Sequence, residues 1–128
     1  MTEPRRVIAR GWATVDIDRA AAELSDRVDH GGFADVERSA WLGARCRRGR
    51  ATDSRAAEWI VLLEPDTEGR LAAFLARHGE GWAATWAAAG DPELAGSRPG
   101  PLGPETLEPA QPMSGPFRLS TAAATIEP

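Results

Sequence analysis

The chain has 128 residues, a mass of 13.7 kDa and a formal net charge of −4, which bounds it to one domain around a single core. Arginines are interspersed with acids and no basic stripe with regularly interleaved aromatics occurs, so nucleic acid is not an expected partner. Cys46 is the only cysteine; that excludes an internal disulfide framework and a cysteine-based zinc cluster, and it fits a reducing compartment. With no signal-like or membrane-length apolar run, the expectation is a cytoplasmic protein with no membrane partner.

Residues 7–15 alternate in the manner of a strand, and Asp16-Ile17-Asp18 offers a cap for an alanine-rich helix over 19–28. His30-Gly31-Gly32 breaks the pattern. Residues 33–48 then read as one long strand or two shorter ones, with Gly43 a possible bulge or bend, and 49–55 as a turn. Residues 58–63, carrying Trp59, Ile60 and Val61, read as a buried strand ended by Pro65. Leu71, Phe74 and Leu75 have helical spacing over 70–78, with Gly79 at the expected stop, and a further strand covers 82–88. From Asp91 onward lie eight of the ten prolines, which prohibit long helices and central strands. That tail reads as loop, as a lid, or as a disordered extension, with short strand candidates at 105–108 and 117–123. The fold class is α+β.

Three phrases in this order resemble the vicinal oxygen chelate superfamily, the group of glyoxalases, methylmalonyl-CoA epimerases and bleomycin-resistance proteins. Residues 11–20, Gly-Trp-Ala-Thr-Val-Asp-Ile-Asp-Arg-Ala, resemble its first strand running into its first helix. Leu62-Leu63-Glu64-Pro65, then Glu68-Gly69, Phe74-Leu75 and Gly79-Glu80-Gly81, resemble the end of its fourth strand, its linker helix and the entry to its second module. The resemblance spans roughly 7–89. It implies a cupped mixed sheet of two βαβββ modules, here 7–78 with the linker helix and a divergent 79–128, in a chain that commonly pairs as a homodimer.

Enzymes of that superfamily usually hold a divalent metal with His or Glu from four strands. The phrases place three of those slots at Ala9, Val61 and Ala84, which offer no lone pair; the fourth falls in the tail, where Glu127 is the late carboxylate. The expectation is therefore no metal and no cofactor. Strand alternation adds Gly11 and Ala13 beside Ala9, Trp59 and Leu63 beside Val61, and Trp82 and Trp86 beside Ala84. Small residues and indoles on one wall suit a bulky hydrophobic or conjugated small molecule, or else the indoles fill the cup as core. Trp12 should face the other way, under a helix.

Proton transfer candidates are His30 in its glycine-flanked loop and Asp35 and Glu37 on the second strand. Arg45 and Arg47 share the face of Asp35 and Glu37 if the strand is unbroken, and could hold a carboxylate or enolate; a bulge at Gly43 would reverse that. Glu64 faces away from the cup as a structural residue, Cys46 reads as a buried spectator, and His78 favours the helix dipole. Two functions follow. One is a metal-independent isomerase, cyclase or lyase of specialised metabolism; the other is a non-catalytic protein that sequesters an antibiotic-like molecule.

Overall fold

A computed structural model describes residues 6–53, 55, 57–88, 97–107 and 117–121. The strands are β1 (Val7–Ala13), β2 (Ala34–Ser39), β3 (Ala44–Arg50), β4 (Trp59–Pro65), β5 (Gly81–Ala88), β6 (Glu105–Leu107) and β7 (Phe117–Thr121). Two helices, α1 (Ile17–Glu23) and α2 (Arg70–His78), follow β1 and β4. The strands form one curled mixed sheet in the order β2-β3-β4-β1-β5-β7-β6. At its centre β1 and β5 run antiparallel. On one side β1 pairs parallel with β4, and on the other β5 pairs parallel with β7, so the halves mirror one another. An isolated antiparallel bridge from Arg98 to Glu105 extends the second half past β6. The α+β cupped architecture read from the sequence is present, although residues 108, 122 and 123 of the two tail candidates, and Glu127, lie outside the described residues.

Chain chemistry accounts for the element boundaries. Asp16 caps α1 by accepting from the Arg19 N–H at 3.1 Å, so the helix begins earlier than the alanine pattern alone predicts. It also ends earlier: at Leu24 the chain passes into a 3-10 turn over Ser25–Arg27. Residues 33–48 are two strands, because Gly43 adopts φ 70° in the turn between them. Helix α2 has the predicted limits.

Both signature glutamates hold the start of α1. Glu64 Oε2 accepts from the Ile17 N–H at 2.8 Å, and Glu80 Oε2 accepts from the Val15 N–H at 3.0 Å and from the Thr14 hydroxyl at 3.2 Å. Glu80 also pairs with Arg19. The Val15 N–H and the Arg19 guanidinium hold the Glu80 carboxyl below its ordinary range. Carboxylates at a helix N-terminus satisfy N–H groups that have no partner inside the helix. The phrases that resemble the superfamily therefore have a structural cause: they pin the β1–α1 corner from the end of β4 and from the residue before β5.

On the helix face, Ile17, Ala20 and Leu24 pack on Leu62, with Trp12 and Phe33 at the margin. The cup face is the larger core, joining Ala9, Ala13, Cys46, Val61, Leu63, Trp86, Leu102 and Leu119, with Leu71 of α2 closing one end. Gly11 makes this packing possible. A Cβ there would come within 2.8 Å of both Leu63 Cδ1 and Trp86 Cζ3, so the indole lies directly on the β1 backbone.

Residues 97–107 cross the mouth of the cup as a strap. The Ala40 N–H donates to Pro99 O at 3.0 Å, Arg48 Nη1 to Pro101 O at 3.0 Å, and Trp41 Nε1 to Glu105 O at 3.0 Å. The fully buried Glu105 side chain then accepts from Ser39 Oγ at 2.7 Å and from Trp86 Nε1 at 2.9 Å. Gly100 packs against the same carboxyl, where any Cβ would overlap it. Burial pushes the Glu105 carboxyl up to about 7, against the opposing pull of the Trp86 and Ser39 hydrogen bonds.

Two outcomes are expected. Gly11→Ala forces the Trp86 ring or Leu63 to move in a filled core and should lower unfolding free energy in urea by about 1–3 kcal/mol; unchanged stability would show slack that the packing denies. Because the folded state holds the Glu105 proton more tightly than an ordinary glutamate at 4.5, its contribution is complete below that value and is lost as pH rises through about 7. Urea titrations at pH 5 and pH 8 should show a loss on the order of 3 kcal/mol that Glu105→Gln abolishes; an equal loss in the variant would assign the pH dependence elsewhere.

Candidate functional site

Cross-strand rows define the cup face. Trp59, Ala9, Trp86, Leu119 and Leu107 follow one another from β4 to β6, and Val61, Gly11, Ala84 and Phe117 form the next row. The three slots at Ala9, Val61 and Ala84 thus lie together on this face and are buried. Their side chains are methyl and isopropyl groups, which cannot ligate a divalent ion. Among the described residues no three of His, Cys, Asp and Glu come together in an arrangement suited to a metal. The residues at these three slots do not fit the superfamily's metal; the fourth, toward Glu127, lies outside the described residues.

Ala9, Gly11, Ala13, Trp59, Val61, Leu63, Ala84 and Trp86 all occupy the predicted face. They fill it: Trp86 is fully buried over Gly11, and Ala9 sits between Trp59 and Trp86. Trp82 is a correction. Gly11 pairs with Ala84 but Trp12 pairs with Trp82, so an irregularity at Ala83 breaks the alternation of β5. Trp82 consequently lies on the helix face, edge-on to Trp12 at 5.1 Å between ring centroids and 3.9 Å beneath the Arg10 guanidinium.

The acid/base candidates separate. Asp35 pairs with Arg47 in the β2–β3 register and Arg45 with Glu64, on the face that carries α1. There Asp35 meets both Arg45, at 3.6 Å, and Arg47, at 3.1 Å, and Arg47 also meets Asp18 at 2.7 Å. Asp35 and Arg45 therefore stand outside the cup in an exposed ion-pair network, and Arg45 and Arg47 share the face of Asp35 although the strand is broken at Gly43. His30 is exposed in the turn before β2. Glu37 differs, since an irregularity between Val36 and Ser39 brings it to the wall of a cleft with Val36.

That cleft, of about 470 Å³, lies between β2–β3 and the strap. Val36, Pro99, Pro101 and Pro104 give it apolar walls, and Glu37, Arg48 and Arg98 give it charge. Arg48 stacks on Trp59 at 4.5 Å and Arg98 on Trp41 at 4.1 Å. Burial, and secondarily the neighbouring Arg50, lower the proton affinity of the Arg48 guanidinium. Arg48, Arg98 and Glu105 are the residues that sequence reasoning missed. Alternation from Val61 through its β3 partner would have found Arg48; the two strap residues carry no periodic signal.

Cys46 lies on the cup face opposite Leu63 and is buried. Burial pushes its thiol up to about 12, so it is an inert core residue under ordinary conditions.

No family model matches the chain, and no curated protein does. Solved structures do. A substituted methylmalonyl-CoA epimerase from Streptomyces coelicolor, in complex with 2-nitronate-propionyl-CoA, superposes with a TM-score of 0.73 at 20% identity over 97% of this chain and 98% of that one. The methylmalonyl-CoA epimerase from Mycobacterium tuberculosis gives 0.66 at 22% identity, covering 89% and 85%. A hypothetical protein from Bacillus halodurans gives 0.58 at 16% identity, covering 92% and 94%. With its two mirrored half-sheets, its linker helix and these neighbours, the chain has the vicinal oxygen chelate, or glyoxalase-like, fold.

Proposed function

We propose that this chain is a metal-independent glyoxalase-fold protein that binds a bulky, largely apolar or conjugated small molecule between the strap and β2–β3. The cleft carries the reading: about 470 Å³ bounded by prolines and Val36 is the size and character of a small-molecule site. The cup itself is closed to a ligand by Trp86, Leu63 and Glu105, which leaves the rim as the place of binding. Sequestration suits this geometry best, because Asp35 and Arg45 point into the opposite face and His30 is in an exposed turn.

A second reading is favoured by Glu37, the carboxylate on the cleft wall. Such a group can take a proton from the carbon beside a carbonyl, which is the class of step an epimerase of the neighbouring structures' kind requires. In that reading Glu37 is the base of an isomerase, cyclase or lyase.

A panel of aromatic and polyketide-like compounds should quench the tryptophan fluorescence, with the tightest binder weakened about tenfold by Val36→Phe, which narrows the cleft. Absence of quenching by every compound, or indifference to that substitution, would remove the cleft from consideration. For the second reading, bound carbonyl compounds should incorporate deuterium from D₂O, and Glu37→Gln should stop incorporation while leaving quenching intact. Equal incorporation in the variant would leave sequestration alone standing.

A further inference from the structure

We propose that the small molecule held in this cleft is a monocarboxylate, its anionic group received by the guanidinium edges of Arg48 and Arg98 and its apolar body lying against the prolines. The inference rests on the cleft reading above and specifies the ligand class.

Strand β3 supplies the main argument, because its arginines divide by face. Arg45 and Arg47, on the helix side, are matched by Asp35, Glu64 and Asp18. Arg48 and Arg50, on the cup side, have no carboxylate partner among the described residues; both instead flank the Trp59 ring, at 4.5 and 4.6 Å. Arg98 enters from the strap, likewise without a carboxylate, over Trp41. A guanidinium whose face is covered by an indole still presents its N–H groups edge-on, in the planar fork that matches a carboxylate. One Arg48 donor is used on Pro101 O, and the rest remain.

The surroundings sharpen the preference. Proline has no N–H, so Pro99, Pro101 and Pro104 cannot donate to an anion; beside Ser97 and Gly100, the charged donors of the lining are the two arginines. Two guanidinium groups and the Glu37 carboxylate leave the lining with one positive charge, which balances one carboxylate and not two. Arg48, half-buried, and Arg98, exposed on the strap, are like charges lining one cleft, and an anion between them relieves their repulsion.

Isothermal titration with naphthalene-2-carboxylate and with its neutral isostere naphthalene-2-carboxamide tests this. The acid should bind about tenfold or more tightly than the amide, as expected for a charge-assisted hydrogen-bonded pair. Arg98→Gln, at an exposed strap position, and Arg48→Gln should each bring the acid down to the level of the amide. Arg77→Gln, at the exposed end of α2, should change nothing, and thermal melts of each variant report whether the fold is kept. Equal affinity for acid and amide would overturn the monocarboxylate assignment while leaving the cleft in place. Failure of both compounds to bind would remove the cleft and the assignment together.

Discussion

A carboxyl group placed where water cannot reach it must find hydrogen bonds inside the protein or lose several kcal/mol, and in this chain Glu105 finds them in two places at once. Ser39 belongs to the end of β2 on one side of the cup and Trp86 to β5 on the other. The strap that carries Glu105 is thereby fastened to both halves of the sheet. Trp86, held by its indole nitrogen, is in turn turned onto the bare backbone of Gly11. The carboxyl thus ties the strap to the indole, beside the bonds from Ala40, Arg48 and Trp41 that hold the strap's backbone.

That closure changes the use to which the scaffold can be put. In a cup lined by Ala9, Val61 and Ala84 the donor positions of the superfamily have become space, and the space has been taken by tryptophan. The place proposed for a ligand is the seam where the strap meets β2–β3. There the chemistry is of another kind: proline surface, two arginines stacked on tryptophans, and one acid. On the reading proposed above, this fold offers a ligand its rim in place of the floor of the cup.

Much of this architecture was legible in the sequence wherever a regular period survives. The α2 limits follow from Leu71, Phe74 and Leu75 with Gly79 behind them, and the cup-facing residues of β1 and β4 follow from simple alternation. Legibility failed at irregularities. A one-residue slip at Ala83 carries Trp82 to the opposite face, and in β2–β3 the cup side belongs to Val36 and Cys46, which leaves Asp35 and Arg45 outside. Glu105 was invisible for a different reason: three strand residues among prolines have no pattern of their own, and only long-range partners, Ser39 and Trp86, give the position meaning. Glu64 reads from the sequence as a structural residue facing away from the cup, and the structure adds that it acts with Glu80 on the start of α1.

Cys46 gains a use from its position. The lone thiol sits on the cup floor, in the core that Leu102 of the strap helps to cover, and a thiol so far from ionisation cannot be attacked while the cover is in place. Its rate of alkylation consequently reports how often the core around the thiol, walled by β2, β4 and the strap, opens to solvent.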